Sequence, residues 1–222
     1  MEQTPAHDNH NPDLLRLMDR RFARVVEVGC SRGALARAYR QSFPDAGYVG
    51  IELDAGYAEV ARQHCDRVVC GDVENLPAAD WASLFPSDCW VFGDALEHLR
   101  DPWRLLRALR RDMGAEGQVL ACIPNAQHWS VQARLASGAF QYEDQGLLDR
   151  THLRWFTRST MITLFQSTGF RIEKMLSRVF EEPARERFLP AIAALAEAAG
   201  VDRDKAVRDC QPLQYVLRAV PA

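Results

Sequence analysis

Acidic residues accompany short apolar runs at intervals along the first half of the chain. Glu27 lies inside "RVVEVG", Glu52 lies near the end of "GYVGIEL", Asp72 follows "DRVVCG" and Asp94 follows "CWVFG". Carboxylates at the carboxyl ends of successive strands can accept hydrogen bonds from the amino and hydroxyl groups of one ligand. Each acid alone could equally cap a helix or occupy a solvated turn. Their order along successive apolar runs favours a shared ligand site.

A glycine turn follows the first of these runs, in "VVEVGCSRGAL" (25–35). A strand that passes through such a turn into a helix can bind a small polar ligand at the helix N-terminus. The dinucleotide-binding fingerprint fits poorly, because Ser31 occupies the position where a glycine, without a side chain, lets the pyrophosphate approach the backbone. The spacing Glu27-x-Gly29-x-Ser31-x-Gly33 instead suits a ligand that carries an amino group and no phosphates.

The elements that must position these residues alternate between strand-length apolar runs and helical patterns. We expect strands at 24–29, 47–53, 66–71, 89–93, 117–123, 171–180 and 214–220. We expect helices at 11–21, 33–43, 55–65, 101–113, 157–170 and 186–200. This alternation predicts a mostly parallel sheet with right-handed crossovers and helices on both faces. Residues 124–156 carry no sustained period and are predicted to form an insertion over one face.

With these motifs in order, the chain resembles the class I S-adenosylmethionine-dependent methyltransferases. Their first motif is (Asp/Glu)-x-Gly-x-Gly-x-Gly, which Ser31 modifies at the middle glycine. The resemblance implies an α/β fold: a Rossmann-like seven-stranded sheet, mostly parallel, with an antiparallel C-terminal strand. It covers nearly the whole chain and implies one methyltransferase domain at 1–222. The stretch 124–156 is similar to a subgroup often found beside glycosyltransferases in polysaccharide gene clusters.

The resemblance also implies how S-adenosylmethionine would bind as co-substrate. Glu27 would take the amino group, Glu52 both ribose hydroxyls and Asp72 the adenine amino group, with Asp94 beside the ligand. The full set of cofactor-binding residues that it implies is Glu27, Gly29, Cys30, Ser31, Gly33, Glu52, Leu53, Gly71, Asp72, Val73, Asp94 and Leu96.

The acceptor pocket is expected between the insertion and a lid helix at 11–21. Methyl transfer to a hydroxyl usually needs a group that takes its proton, and the candidates are His98, His128 and His152. Aromatic residues of the insertion could stack on a sugar or an aromatic ring, namely Trp129, Phe140, Tyr142 and Trp155. Each of these aromatic residues could equally belong to the insertion's own core, and His152 could simply donate to a carbonyl.

The stretch "DALEH" (94–98) and the distant His152 leave open whether a divalent metal binds there. If residues 95–99 turn helically, Asp94, Glu97 and His98 share one face. This set resembles that of metal-dependent small-RNA 2′-O-methyltransferases, and ubiquinone-pathway O-methyltransferases carry a similar Glu-His. In the alternative, Glu97 and His98 only cap and pack the loop after the fourth strand.

Bulk composition excludes several other classes of protein. The 222 residues carry a formal net charge of -3, so no nucleic-acid partner is expected. The arginines at 104–111 lie on the outer arc of an amphipathic helix. No apolar stretch is long enough for a membrane span, and no leader is visible in the polar N-terminal stretch. The six cysteines lack metal-site spacing, and Cys30, Cys70, Cys89 and Cys122 are expected to be buried free thiols. A cytoplasmic location follows as an expectation.

The leading hypothesis is therefore O-methylation of a sugar, glycan or small-metabolite hydroxyl. The alternatives are a small-molecule N- or C-methyltransferase, a metal-dependent RNA 2′-O-methyltransferase, a non-catalytic cofactor-binding partner subunit and a nicotinamide-dependent oxidoreductase. The sequence leaves the acceptor, the need for a metal, the general base and the oligomeric state open.

Overall fold

The computed structural model describes residues 8–222, which one seven-stranded sheet organises. The strands are β1 (Arg24–Val28), β2 (Gly47–Glu52), β3 (Arg67–Cys70), β4 (Cys89–Gly93), β5 (Gln118–Pro124), β6 (Phe170–Arg178) and β7 (Gln214–Pro221). Their spatial order is β3-β2-β1-β4-β5-β7-β6. Pairs among β1–β5 are parallel, and β7 is antiparallel to both β5 and β6. This sheet confirms the predicted Rossmann-like fold with its antiparallel C-terminal strand.

Residues 1–7, the beginning of the predicted domain 1–222, lie outside the described residues. These residues make up about half of the polar stretch 1–13, on which the prediction of no leader rests.

The central strands are buried on both faces, which explains why they read as continuous apolar runs. Val25 and Val26 are adjacent in β1, yet they belong to different core clusters. The cluster around Val26 includes Leu106 and Phe165 from helices on its side, and the cluster around Val25 includes Leu35. Helices therefore cover both faces of the sheet, as predicted.

The helices are α1 (Pro12–Leu17), α2 (Ala34–Ser42), α3 (Ala55–Ala61), α4 (Ala78–Ser83), α5 (Pro102–Asp112), α6 (Trp129–Ala136), α7 (Arg158–Ser167), α8 (Leu189–Ala198) and α9 (Arg203–Asp209). Short 3₁₀ turns lie at Val73–Asn75, Leu96–His98 and Pro183–Arg187. Within residues 8–222, no helix has both the length and the apolarity that crossing a bilayer requires.

The sequence prediction missed α4, α6 and α9, and it treated the segment that contains α6 as irregular. These helices bury few apolar side chains: α4 buries none, α6 buries Val131 and α9 buries Ala206 beside a polar residue. An amphipathic stripe is the main signal of a helix in a sequence, so helices without one are missed.

The N-terminal helix α1 is shorter than the predicted 11–21. Asn11 caps its start, and it ends before Met18. Its buried face consists of Leu14 and Leu17, and a Cβ placed on Gly93 at the end of β4 would lie 3.1 Å from Leu14 Cδ1. Helix α1 therefore packs against the end of a central strand, and its role as a lid stays a prediction.

One cysteine departs from expectation. Cys70 is exposed, whereas Cys30, Cys89 and Cys122 are buried free thiols as predicted. Cys70 lies on β3, an edge strand with a strand neighbour on one side only. Fewer residues therefore cover its side chain than cover the side chains of the central strands.

The sheet order reverses at β1, which pairs with β2 on one side and with β4 on the other. Helix crossovers leave in opposite directions at such a point and open a crevice beyond the carboxyl ends of the two central strands. The turns that follow β1 and β4 are the glycine turn and the stretch at Asp94. The topology therefore brings both to one crevice.

Candidate active site

The glycine turn after β1 has backbone angles that explain its composition. The φ angles of Gly29, Ser31 and Gly33 are 71°, 48° and 77°, all in the left-handed region. A Cβ on Gly33 would lie 3.2 Å from His64 Cβ and 3.3 Å from Ala61 Cα, so the end of α3 and the turn after it leave little room for a side chain. The turn is therefore a tight backbone loop that a ligand can approach at the start of α2.

Glu52 ties the end of β2 to this turn. Its side chain is buried, and Oε2 accepts a 2.8 Å hydrogen bond from the backbone N–H of Ser31. Its Oε1 accepts one of 2.9 Å from the N–H of Asp54. The predicted ribose-binding carboxylate thus lies against the glycine turn, with donors from the chain itself on both oxygens.

Glu27 is buried inside β1 and has a partner that the sequence did not indicate. The Tyr48 hydroxyl donates a 2.8 Å hydrogen bond to Glu27 Oε2. Burial raises the pKa of Glu27 to about 8, against the lowering effect of the Tyr48 hydrogen bond, and the nearby charge of Glu52 adds to the rise. Tyr48 lies directly opposite Val25 in the β1–β2 register, but β-strand aromatics are too common in cores to signal such a contact.

Asp72 caps the turn after β3. Its Oδ1 accepts from the N–H of Glu74 at 2.9 Å and its Oδ2 from Asn75 Nδ2 at 2.7 Å. The N–H of Gly71 donates to the carbonyl of Glu52 at 2.8 Å, which holds the ends of β3 and β2 together. Leu53 is 61% exposed at this edge and offers an apolar surface beside the polar groups.

Some predicted cofactor residues direct their side chains into the core. A Cβ on Gly50 would lie 2.4 Å from Cys30 Sγ, so the thiol fills the space above that glycine. Leu96 is fully buried and Val73 nearly so, both in the main apolar cluster. Only the backbone atoms of these residues remain for the predicted contacts with the cofactor.

Asp94 follows β4 and is exposed, with a φ of 53°. Its Oδ1 accepts from Gln214 Nε2, and from the Cys122 thiol at 3.4 Å. Among residues 8–222, Asp94 and Ser31 are the non-glycine residues with positive φ. Such strain concentrates at ligand sites, and here it marks the two turns that the topology brings together.

Three side chains converge beyond Asp94: Glu97, His98 and His152. One ligand atom from each lies within 4.8 Å of the others. Glu97 is 1% exposed, its Oε1 lies 4.0 Å from His152 Nε2, and neither carboxylate oxygen has a hydrogen-bond partner. A buried carboxylate without donors is costly unless a proton or a cation compensates it.

Asp94 does not belong to this cluster, although a shared face of Asp94, Glu97 and His98 was expected. The left-handed backbone at Asp94 turns the chain before the 3₁₀ turn begins, so its carboxylate points to Gln214 instead. The ligand set that the structure assembles is Glu97, His98 and His152.

Burial also sets the protonation of the cluster. Burial raises the pKa of Glu97 well above its usual value, and the negative charge of Asp94 adds to this. Burial lowers the pKa of His98 and of His152, and for His152 the neighbouring His98 lowers it further. Two neutral imidazoles beside a carboxylate can ligate a divalent cation or accept a proton from a hydroxyl.

Comparison with known proteins agrees with this arrangement. A family model described as "Methyltransferase domain" matches residues 7–175. This chain belongs to that methyltransferase family. The match confirms the family that the motifs at Glu27, Glu52, Asp72 and Asp94 indicated.

Curated relatives of the methyltransferase are similar over part of their length. Malonyl-[acyl-carrier protein] O-methyltransferase of Geobacter sulfurreducens is 28% identical over 154 residues, which cover 67% of this chain and 56% of the relative. Ubiquinone biosynthesis O-methyltransferase of Pseudomonas aeruginosa is 31% identical over 125 residues, 53% of each chain. The chain therefore spans about half the length of the curated relatives it matches.

A solved structure supports the fold. The SAM-dependent methyltransferase from Archaeoglobus fulgidus is 17% identical and aligns with a TM-score of 0.61 over 94% of this chain and 91% of that one. At this identity the likeness concerns the architecture alone.

His128 of the methyltransferase occupies a different environment from the other two candidate histidines. It is fully buried, its Nδ1 lies 2.8 Å from Ser130 Oγ and its Nε2 lies 3.2 Å from Glu182 Oε2. It also caps the start of α6. With a partner at each ring nitrogen, His128 has a structural role in this arrangement, and we leave it out of the function proposed below.

The insertion's aromatic residues divide into two groups. Trp129 stacks on Phe188 at 5.2 Å between ring centroids and so belongs to a small core under α8. Phe140, Tyr142 and Trp155 form a chain of ring contacts, and Trp155 reaches His152 at 6.1 Å. The second group therefore borders the histidine cluster on the acceptor side.

A cavity of about 170 Å³ lies between α6 and residues 143–148. Its apolar lining is Val131, Leu147, Leu148 and Leu213, and its polar lining is Ser130, Arg134 and Glu143. Its size is close to that of an engineered apolar cavity that binds benzene. The carbonyl of Leu147 accepts from His152 Nδ1 at 3.3 Å, which connects the cavity wall with the cluster.

Proposed function

We propose that this protein transfers the methyl group of S-adenosylmethionine to a hydroxyl oxygen of a small metabolite or sugar, with a divalent cation at Glu97, His98 and His152. The observation that supports the proposal is a crevice in which some carboxylates have hydrogen-bond donors and one buried carboxylate has none. Glu52 and Asp72 meet donors at the strand ends, whereas Glu97 is buried beside two neutral imidazoles with no donor. Family membership supports the co-substrate, and the two relatives named above are both O-methyltransferases.

The cofactor would lie along the strand ends. Glu27 takes the ammonium group, Glu52 the ribose hydroxyls and Asp72 the adenine amino group, while exposed Leu53 contacts the adenine ring. Ser31 and Gly33 let the backbone of the turn approach the methionine part. This assignment places the sulfonium near the switch point between β1 and β4.

Glu97, His98 and His152 fit a divalent cation by their chemistry. The unpartnered carboxylate oxygens need a positive charge, and imidazole with carboxylate suits several divalent metals. A bound cation would lower the pKa of an acceptor hydroxyl and so favour its ionisation.

The chain's own residues would align the acceptor and exclude water. Phe140 and Trp155 cover the side of His152, and the cavity beside Leu147 can hold one compact ring of the acceptor. In the transfer the acceptor loses its O–H proton, an O–CH₃ bond forms and the S–CH₃ bond breaks. The products are the methyl ether, S-adenosylhomocysteine and a proton released to solvent. Holding oxygen and methyl carbon in line supplies much of the rate enhancement.

Calorimetry with S-adenosylhomocysteine tests the cofactor assignment. The wild type should bind it, and Glu52→Ala should lose at least about tenfold in affinity because the glycine turn loses its anchor on Ser31. Glu59→Ala is the matched control, since Glu59 is an exposed acid on α3 paired with Arg62. Wild-type affinity in Glu52→Ala would refute the assignment.

A methyl-donor assay tests the reaction. The panel should contain phenolic metabolites, nucleotide sugars and carboxylic acids, each with and without a chelator. We expect an O-methylated product that the chelator abolishes and Mn²⁺ or Mg²⁺ restores. Turnover that survives chelation would instead assign the hydroxyl proton to His98 or His152, and an N- or C-methylated product would refute the acceptor class. The nucleotide-sugar arm tests the predicted glycosyltransferase-associated subgroup.

A further inference from the structure

We propose that Asp149 and Thr151 are positioning residues that fix His98 in the Nδ1–H tautomer, with its Nε2 lone pair available to the Glu97–His98–His152 cluster. The inference rests on the proposed function, because it names the residues that orient the proposed site. The tautomer itself can be measured in the protein without any ligand. Asp149 is buried, with 1% of its surface exposed.

The orientation starts at the Asp149 carboxylate. Its Oδ1 accepts from the backbone N–H of Thr151 at 2.8 Å and from Thr151 Oγ1 at 2.6 Å. The hydroxyl hydrogen of Thr151 is therefore committed to Asp149, because the hydroxyl is the donor in this hydrogen bond. Towards His98, the Thr151 hydroxyl must then act as an acceptor.

His98 Nδ1 lies between two acceptors of the same residue. It is 3.0 Å from Thr151 Oγ1 and 3.1 Å from the Thr151 carbonyl oxygen. A carbonyl cannot donate, and the hydroxyl hydrogen is already used. The hydrogen of neutral His98 therefore resides on Nδ1, and the lone pair resides on Nε2.

His152 is held in the same way by the same loop. Its Nδ1 donates to the carbonyl of Leu147 at 3.3 Å. Asp149 shapes the turn that presents this carbonyl, because its N–H donates to Gly146 at 3.2 Å and its carbonyl accepts from His152 at 3.1 Å. Loop 146–152 therefore gives both imidazoles the same tautomer.

The loop is also fastened to the turn that carries Glu97. The N–H groups of Leu153 and Arg154 both donate to the Glu97 carbonyl, at 2.8 Å and 2.9 Å. The carboxylate and the two imidazoles thus belong to one hydrogen-bonded unit. In metal sites, partners that orient the ligating histidines typically affect metal affinity by roughly 10–100-fold.

The test reads the tautomer directly, by long-range ¹H–¹⁵N NMR of protein labelled at histidine. In the wild type, His98 should show a protonated Nδ1 and an unprotonated Nε2. In Asp149→Asn the new amide can donate to the Thr151 hydroxyl and release its hydrogen towards Nδ1, so the His98 signals should shift towards a mixture of tautomers. In Thr151→Val only the carbonyl remains as an acceptor for Nδ1, so the shift should be smaller. Asp144→Asn is the matched control, an exposed acid of the same segment that pairs with Arg150.

Calorimetry with Mn²⁺ and with S-adenosylhomocysteine completes the test. Asp149→Asn and Thr151→Val should weaken Mn²⁺ binding by about tenfold or more while S-adenosylhomocysteine affinity stays at the wild-type value. A wild-type His98 protonated at Nε2, or variants with the wild-type tautomer, would overturn the inference. If the tautomer behaves as expected but the wild type binds no Mn²⁺, the positioning role stands and only the proposed cation fails. Thr151→Val, which keeps the Thr151 carbonyl, covers the case in which Asp149→Asn does not fold.

Discussion

The crevice has two sides that differ in the hydrogen-bond partners of their carboxylates. We call the side of Glu52 and Asp72 the cofactor side, and the side of Glu97 the acceptor side, after the proposed function. On the cofactor side, Glu52 and Asp72 are fastened by backbone and side-chain donors at the strand ends. On the acceptor side, Glu97 is as deeply buried as Glu52, yet neither of its oxygens has a hydrogen-bond partner. Burial alone therefore does not separate the two carboxylates, whereas their hydrogen-bond partners do.

This difference indicates what each side can bind. A carboxylate that accepts hydrogen bonds from the chain is held in place and can accept further ones from hydroxyl and amino groups of a ligand. A buried carboxylate without donors either takes a proton or requires a cation. The proposed function therefore assigns a ligand rich in hydrogen-bond donors to the cofactor side and a metal ion, in place of the proton on Glu97, to the acceptor side.

The largest effect should come from Glu97→Gln. The substitution keeps the shape of the side chain but removes the charge that the proposed cation needs, so turnover should fall by about 100-fold or more. Affinity for S-adenosylhomocysteine should stay within about twofold, because the strand-end carboxylates are untouched. Steady-state kinetics at saturating Mn²⁺ and calorimetry measure the two quantities.

Glu59→Gln is the control for this variant, since Glu59 is an exposed acid on α3 that pairs with Arg62 and has no role in the proposed site. It should leave both turnover and cofactor affinity near the wild-type values. Full turnover in Glu97→Gln would show that the two sides do not differ in function.

Glu27 offers a sharper version of the comparison, because it lies on the cofactor side but has a raised pKa of about 8. Between its unfolded value near 4.5 and about 8, the folded protein holds a proton on Glu27 that the unfolded chain lacks. Its contribution to the free energy of unfolding is therefore largest at low pH and falls as the pH rises through this window, by up to about 1.4 kcal/mol per pH unit.

Glu27→Gln should remove that part of the pH dependence. Denaturant unfolding of the wild type and the variant from pH 5 to pH 9 should show the wild type losing stability relative to Glu27→Gln as the pH rises. If the two curves run parallel, Glu27 does not titrate in this window. A positive ligand group would displace the proton, so wild-type binding of S-adenosylhomocysteine at pH 7 should also release protons, seen as a buffer-dependent binding enthalpy.

The sequence predicted the turns at the ends of β1–β3 well, because these turns depend on local features. The glycine turn, the acids at the ends of β1–β3 and the strand–helix alternation are all visible within short windows. The seven-stranded, mostly parallel sheet and its antiparallel C-terminal strand followed from the family resemblance and were confirmed.

The acceptor side was predicted less well, because it depends on contacts between distant segments. Asp149 and Thr151 lie more than fifty residues from His98 in the sequence, and the periodicity of the sequence does not predict a contact between such distant residues. The exclusion of Asp94 from the cluster depends on one left-handed φ angle, which a residue type does not reveal. The contact between Tyr48 and Glu27 was also missed, because it joins residues of two different strands.

The smallest predicted effect concerns the backbone strain that both sides share. Ser31 on the cofactor side has a φ of 48°, and a non-glycine residue in that region costs roughly 1–2 kcal/mol. Ser31→Gly relieves this strain but makes the unfolded chain more flexible, which cancels about 0.4–1 kcal/mol of the gain. We expect a net stabilisation between about 0 and 1.6 kcal/mol in denaturant unfolding. Because Glu52 binds the backbone N–H of residue 31 and not its side chain, affinity for S-adenosylhomocysteine should be unchanged. A tenfold loss of affinity would show instead that the Ser31 hydroxyl contacts the cofactor, and the cofactor side would then depend on a side chain where we assign only backbone.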